Sequence, residues 1–303
     1  MRPVPRHLYP FDPKRLDLGG HSMSYLDEGS GPPVVMVHGN PTWSFYYRRL
    51  VRALAPTHRC IVPDHIGMGL SDKPDDARYP YTLARRVEDF ERLLDHVALD
   101  RPLHLVVHDR GGASGMAWAV RHPERVASLV IMNTAAFPLP EARAFHLPLR
   151  LTRTPVGGLL VRHLNAFAVA ATRLCVTRRP LPREVRAAYL APYDAPETRI
   201  ATLRFVEDIP LSPADPGYAI VEATRDGLAR LSDKPALILW GERDFVFDRP
   251  FLDEWRRHLP GARVVRFPTS GHYVLEDAHE EIVPLVAELL GEDPRRSEAY
   301  PEP

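Results

Sequence analysis

The chain has 303 residues, of which 45% are hydrophobic and 26% are charged, a composition typical of a globular protein with one large or two ordinary domains. Basic and acidic residues number 39 each, and this zero net charge gives no indication of binding to nucleic acid or an anionic membrane. The N-terminus resembles no signal peptide, and no apolar run reaches the roughly 18 residues that span a bilayer. We therefore expect a cytoplasmic protein without an integral membrane segment.

The two cysteines, Cys60 and Cys175, are far apart in the sequence. Their spacing matches neither a metal-binding nor a redox motif. We expect two buried free thiols and no metal site.

Strands and helices alternate over the first part of the chain. A hairpin is expected over 16–27, because Gly19 and Gly20 supply a turn between two weakly alternating segments. The alternation of strands and helices predicts a doubly wound, mostly parallel sheet with helices on both faces. Apolar runs predict strands at 33–37, 60–63, 103–109 and 126–132, and helical patterns cover 43–55, 83–99 and 113–120.

The alternation stops at about residue 138 and resumes after about 213. The segment 138–213 has short helical patterns broken by prolines and no clear strand pattern. Since long insertions between sheet strands are usually functional, we expect a helical cap over an active site, although a peripheral excursion would give the same pattern. The core domain is then formed by 1–137 and 214–303. Its second part has predicted strands at 235–240 and 263–267 and helices at 251–259 and 280–290.

The strand at 103–109 ends in Asp109 and continues directly into the helical pattern. Gly111 allows a sharp strand-to-helix turn, which would present the Asp109 side chain above the sheet as a nucleophile. The residue two positions before Asp109 is Val107 and not glycine, so the nucleophile motif is only half matched. The alternative is that Asp109 merely caps the following helix.

Two further loops follow predicted strands and complete a triad. Asp244 comes after the strand at 235–240, and His272 comes after the strand at 263–267. The order is nucleophile, acid and base, and carboxyl ends of parallel strands share one edge of the sheet. Asp109 would form an ester, His272 would activate water or assist breakdown of that ester, and Asp244 would orient the imidazole. Asp248 is a rival acid, whereas Asn133 follows another strand but cannot supply a negative charge.

A polar turn follows the strand at 33–37. The backbone N–H of Asn40 lies in this turn, and the backbone N–H of Arg110 comes directly after the nucleophile Asp109. In the α/β-hydrolase architecture these two N–H groups would face developing negative charge. The Asn40 side chain would be a further donor, although an asparagine before proline is also common in ordinary turns.

With these loops in place, the chain resembles the haloalkane dehalogenase branch of the α/β-hydrolase superfamily. Within that branch it is similar to the cis-β-lactone decarboxylases of bacterial long-chain olefin biosynthesis. The resemblance implies an α/β-hydrolase fold and a cis-3,4-dialkyl-oxetan-2-one substrate. It also implies a cis-alkene and carbon dioxide as products, no cofactor, and possible assembly with other enzymes of the pathway. The matching segments are 38–41, 61–76, 108–112, 133–138, 208–215, 244–248 and 270–277.

The pattern expected of the decarboxylase subgroup, like that of the dehalogenases, has tryptophan immediately after the nucleophile, and Arg110 departs from both. The indole N–H and the asparagine equivalent to Asn40 bind the leaving halide in the dehalogenases. A guanidinium fork suits the carboxyl group of an opening lactone better than a spherical halide. Alternatively, Arg110 turns outward to solvent or pairs with a carboxylate of the cap.

Other functions stay open at this point. A haloalkane dehalogenase or an epoxide hydrolase would use the same triad, and a non-catalytic ligand-binding homologue or a pathway scaffold would not need it. Tyr189 and Tyr193 resemble the ring-protonating tyrosines of epoxide hydrolases, but packing is the commoner role. The apolar residues Leu159, Leu160, Leu164, Phe167 and Val169 either line an alkyl-chain channel or pack the cap, and we favour packing.

Overall fold

An eight-stranded sheet runs through the computed structural model, which describes residues 3–141 and 143–291. The strand order is β1-β2-β4-β3-β5-β6-β7-β8. The first two strands form the predicted hairpin. Strand β2 is antiparallel to both β1 and β4, and the six strands β3 to β8 pair with one another in parallel. The strands are β1 Lys14–Asp17, β2 Ser22–Glu28, β3 Pro33–Val37, β4 Arg59–Pro63, β5 Leu103–Asp109, β6 Val126–Thr134, β7 Ala236–Gly241 and β8 Arg263–Phe267.

The inner parallel strands are apolar on both faces because helices cover both sides of the sheet, whereas only Phe267 of the edge strand β8 is buried. Every residue of β3 and β7 is buried. Val35 and Val37 pack into the core on one face, while Val34 and Met36 pack into the core on the other. The helices are α1 Arg48–Leu54, α2 Leu83–His96, α3 Arg110–Ala119, α4 Leu147–Thr152, α5 Pro155–Leu164, α6 Ala166–Leu174, α7 Arg183–Leu190, α8 Ile200–Glu207, α9 Tyr218–Gly227, α10 Arg249–His258, α11 Val274–Asp277 and α12 His279–Leu289.

Local signals explain where α2 begins and ends. The Thr82 hydroxyl caps its first turn by accepting a hydrogen bond from the Arg85 N–H at 3.3 Å. The helix ends at His96, three residues before the predicted end, and Ala98 has a φ of 45°. A residue with this left-handed backbone cannot continue a right-handed helix.

We propose that the segment between β6 and α9 is the cap expected from the sequence. Apart from residue 142, which lies outside the described residues, it contains α4 to α8 and no strand. Some of its prolines begin helices, as Pro155 does at the first position of α5, and none lies beyond the first turn of a helix in the described segment. We propose 138 and 213 as its limits; the predicted core domain also includes residues 1–2 and 292–303, outside the described residues.

Two sequence expectations needed adjustment and one was confirmed. The helix predicted at 43–55 is a 3-10 turn over Ser44–Tyr47 followed by α1, and α3 begins at Arg110, three residues earlier than predicted. Cys60 and Cys175 are buried free thiols, as expected. Within the described ranges, no helix is both long enough and apolar enough to span a membrane.

Candidate active site

Asp109 lies at the end of β5, where the chain turns directly into α3. Its φ of 49° and ψ of −129° are strained for a residue with a side chain, and such strain is concentrated at functional sites. The side chain forms no capping hydrogen bond to α3, so the helix-cap interpretation is wrong. It lies instead at the wall of a cavity beneath the cap.

Glycines allow the close approaches around this turn. A β-carbon on Gly111 would lie 2.0 Å from the Val37 carbonyl oxygen, and one on Gly39 would lie 2.1 Å from Asp109 Oδ2. The predicted role of Gly111 therefore needs correction. The unusual backbone angle belongs to Asp109 itself, while Gly111 allows α3 to approach β3.

The structure brings Asp109, Asp244 and His272 together, each at most 6% exposed. His272 Nδ1 lies 2.8 Å from Asp244 Oδ2, and His272 Nε2 lies 4.0 Å from Asp109 Oδ1. The bond to Asp244 places a proton on Nδ1 and directs Nε2 toward Asp109. The rival acid Asp248 instead forms an ion pair with Arg143 at 2.8 Å.

Asn133 holds the acid in place, a role that the sequence analysis did not predict. Its Nδ2 donates to Asp244 Oδ2 at 3.0 Å and to the Gly241 carbonyl at 3.1 Å. Its Oδ1 accepts from the Gly241 N–H at 2.8 Å. The side chain thus connects the end of β6 to the end of β7, and the amide supports a carboxylate that it could not replace. The sequence did contain one indication of this role: Asn133 is a polar residue at the carboxyl end of β6, the strand that pairs with β7.

The buried charges of the triad affect one another. Burial raises the pKa of Asp109, although His272 and the N–H groups of Asn40 and Arg110 act in the opposite direction. Burial alone would lower the pKa of His272, but Asp244 and Asp109 together raise it above its ordinary value. An imidazolium between two carboxylates is therefore a stabilised state of this site.

The Asn40 main chain takes the predicted position, but its side chain is partly engaged elsewhere. The Asn40 N–H donates to Asp109 Oδ2 at 2.5 Å. Its side-chain Nδ2 donates to the carbonyl of Thr202 on α8 at 2.9 Å. One hydrogen of the Asn40 side-chain amide therefore connects the turn after β3 to the cap. The second hydrogen of that amide is left to donate to a bound group.

Arg110 lies in the cavity wall, and its Nε and Nη2 are buried without a hydrogen-bond partner in the described part of the chain. The nearby carboxylate of Asp208 is already paired with Arg86. Both sequence alternatives, an outward side chain and a pair with a cap carboxylate, are therefore wrong. Burial and the positive charge of Arg86 lower the pKa of Arg110 to about 10, so the group is still a cation at neutral pH.

The cavity has a volume of about 620 Å³ and lies between the sheet and the cap. Asn40, Asp109, Arg110 and His272 contribute to its wall, and most of the remaining surface is apolar. Apolar lining comes from Phe137, Leu139, Phe167, Phe205, Val206 and Phe247.

The cap residues singled out in the sequence have different positions. The Tyr189 hydroxyl bonds to Glu276, and the Tyr193 hydroxyl lies 3.4 Å from the Thr42 carbonyl; neither tyrosine lines the cavity. Packing is therefore their role. For the apolar set the expectation of packing was wrong in part, because Leu160 and Phe167 line the cavity and Leu159 and Leu164 are exposed.

This architecture agrees with comparisons to known proteins. Residues 32–279 match the family model of the alpha/beta hydrolase fold. The chain belongs to the α/β-hydrolase fold family. The fold expected from the sequence is thereby confirmed.

This α/β-hydrolase is similar to decarboxylases and to haloalkane dehalogenases. It is 50% identical over 286 residues to the cis-3-alkyl-4-alkyloxetan-2-one decarboxylase of Shewanella oneidensis, covering 94% of this chain and 90% of that protein. The decarboxylase of the same name from Xanthomonas campestris is 50% identical over 295 residues, covering 94% and 98%. The crystal structure of a putative ancestral haloalkane dehalogenase is 30% identical with a TM-score of 0.82, covering 95% and 100%. The resemblance inferred from the sequence is confirmed.

Proposed function

We propose that this α/β-hydrolase converts cis-3,4-dialkyl-oxetan-2-ones to cis-alkenes and carbon dioxide. The observation that carries the proposal is the presence of two groups in the wall of an apolar cavity. They are the buried carboxylate of Asp109 and the guanidinium of Arg110, whose buried Nε and Nη2 have no hydrogen-bond partner among the described residues. The carboxylate supplies the nucleophile, the guanidinium suits the carboxylate released from the lactone, and the cavity suits two alkyl chains. Two relatives at 50% identity carry the name of this activity.

In the first step, an Asp109 oxygen attacks C4 of the lactone ring. The C4–O bond breaks, its electron pair stays on the ring oxygen, and C4 inverts. The product is an Asp109 ester whose C3 carries a free carboxylate, and Arg110 receives that negative charge.

In the second step, the ester breaks down without water. The bond between C3 and the carboxylate carbon breaks to release carbon dioxide, its electron pair forms the C3=C4 double bond, and Asp109 leaves as a carboxylate. Inversion at C4 followed by anti elimination keeps both alkyl groups on one side, so a cis-lactone gives a cis-alkene. The His272 imidazolium, oriented by Asp244, stabilises the departing Asp109 oxygen.

From the same resemblance we propose that the protein acts in the cytoplasm and assembles with the other enzymes of olefin biosynthesis. Copurification of those enzymes with the tagged chain from its native host would support this assembly. Recovery of the chain alone from the same cells would contradict it.

The activity is tested with a synthetic cis-dialkyl-β-lactone and gas chromatography of the products. The wild-type protein is expected to form the cis-alkene, and Asp109→Asn, which keeps the size of the side chain, is expected to form none. Unchanged lactone with the folded wild-type protein would overturn the proposal. Halide release from haloalkanes or diol formation from epoxides, without alkene from lactone, would establish one of the alternative hydrolases instead.

A further inference from the structure

The cap carries an unusually apolar outer surface. Six aliphatic side chains on or beside α4, α5 and α6 are each 56–68% exposed. Large exposed apolar patches mark interaction sites, whereas single exposed apolar residues are ordinary. We call the six residues the cap patch: Leu147, Leu151, Val156, Leu159, Leu164 and Leu174.

Helix α5 shows why this surface is not a by-product of core packing. Val161 is buried, and Gly158 lies against Leu203 of the cap interior. On the outer side, Val156 and Leu164 lie eight residues apart and therefore share one helical face. A helix that is apolar on both sides normally has both sides covered. Nothing in the described parts of the chain covers the outer one.

The same region has a one-sided charge. Residues 143–179 contain seven arginines and no aspartate, glutamate or lysine. Since the whole chain has 39 basic and 39 acidic residues, the rest of it carries an excess of seven acidic residues. Arg150 and Arg173 are exposed, and neither forms an ion pair within residues 3–141 and 143–291. Two of the seven arginines, Arg143 and Arg178, are paired with Asp248 and Glu281. The zero net charge of the whole chain thus conceals a locally basic segment.

The cap patch also borders the candidate active site. Leu151 and Leu174 belong both to the patch and to the wall of the cavity. Leu211 and Phe245, which are 37% exposed, line the cavity as well. The apolar outer surface of the cap is therefore continuous with the apolar wall of the cavity.

We propose that the cap patch binds the protein to an anionic lipid membrane, with its aliphatic side chains at the boundary between headgroups and acyl chains. Aliphatic residues flanked by arginine are the composition of interfacial membrane-binding helices. Anchors of protein interfaces are instead enriched in tryptophan and tyrosine, and leucine and valine are under-represented there. The cap patch contains no aromatic residue. A dialkyl lactone would then enter the cavity directly from the lipid. This entry route rests on the proposed function, whereas the binding of the cap patch to the membrane does not.

The test is flotation of the full-length protein with vesicles of phosphatidylcholine alone or mixed with phosphatidylglycerol. We expect binding to the anionic vesicles, and weakening by high salt, because exposed charges are screened. Leu159→Ser/Leu164→Ser should weaken binding by removing apolar contacts. Arg150→Glu/Arg173→Glu should weaken it by about ten-fold or more, since each basic residue near an anionic surface contributes about a five-fold gain in affinity. None of these four residues lines the cavity.

A matched control reverses two exposed arginines elsewhere. Arg249→Glu/Arg256→Glu on α10 makes the same change in net charge and should bind vesicles as the wild type does. Turnover of a short, water-soluble β-lactone reports folding and the proposed function separately from binding. Wild-type protein that does not bind anionic vesicles would overturn the proposal, and so would undiminished binding by both patch variants. A dimer that Leu159→Ser/Leu164→Ser dissociates, without vesicle binding, would identify the patch as a contact between two copies instead.

Discussion

Arg110 and Arg86 place two guanidinium groups near one carboxylate, that of Asp208. The carboxylate bonds to Arg86, so the buried Nε and Nη2 of Arg110 are left without a hydrogen-bonded partner in the described residues. A buried charge in this state destabilises the free protein, and it stabilises any anion that forms beside it. Such an arrangement is expected where negative charge appears during a reaction and not where a fold needs support.

We predict that Arg110→Met lowers kcat/KM for the cis-lactone by about ten- to a hundred-fold, the effect of one hydrogen bond to a charged group. Arg110→Lys keeps the charge but loses the planar fork, so its loss should be smaller. The midpoint of urea unfolding should not fall in the methionine variant, because no folded-state ion pair is removed. Unchanged kcat/KM in Arg110→Met would contradict the assigned role, and a loss of activity matched by a loss of stability would indicate a structural one.

At the scale of elements, a buried ion network joins the cap to the helix that follows the His272 loop. Glu276 on α11 accepts hydrogen bonds from Arg48 of α1 and from the Tyr189 hydroxyl of α7. Burial opposes ionisation of Glu276, but Arg48 and Arg49 lower its pKa to about 2. Because α11 begins two residues after His272, this network fixes the loop between β8 and α11 against both layers.

We predict that Glu276→Gln lowers the free energy of unfolding by about 3–5 kcal/mol at neutral pH, since it leaves the Arg48 guanidinium buried without its counter-charge. The folded-state pKa of Glu276 lies below the ordinary value, so the ionised group stabilises the fold above that value and loses this effect as pH falls toward 2. The difference between wild type and variant should therefore shrink with acidification. Urea unfolding at several pH values measures it.

Glu280→Gln provides the control, because the same substitution is made at an exposed position of α12. It should leave the free energy of unfolding nearly unchanged at every pH. Equal stabilities of the two variants at neutral pH would contradict the importance of the network.

The elements that carry the site could be predicted from the sequence because their signals are local. Burial of β5 and β7 appears as apolar runs, and the residues that follow β5, β7 and β8 must share one edge of the sheet. The triad order then selects Asp109, Asp244 and His272. The support of Asp244 by Asn133 and the unpaired state of Arg110 could not be predicted. Both depend on tertiary contacts, between the ends of β6 and β7 and between α2 and the end of α8. Such contacts leave no pattern in the local sequence.

At the scale of the whole molecule, the sheet supplies the reacting groups and the cap supplies most of the apolar wall. Neither layer alone encloses the cavity of about 620 Å³. In the proposed reaction, loops at the carboxyl ends of the strands supply the reacting groups, and the helices of the cap limit the length of alkyl chain that is removed from water. Substrate preference should therefore respond to cap residues that do not touch the reacting atoms.

We predict that kcat/KM rises by about four-fold for each methylene added to the lactone until the cavity is full, because burying one methylene contributes about 0.8 kcal/mol. Ala170→Phe places a ring in the wall of the cavity and should end this rise at shorter chains. Ala187→Phe, at an exposed position of α7 outside the cavity, should follow the wild-type series. A series of cis-dialkyl lactones assayed with the three proteins measures the slope. A wild-type slope near zero would mean that the alkyl chains lie outside this cavity, and identical series for all three proteins would mean that the cap does not limit their length.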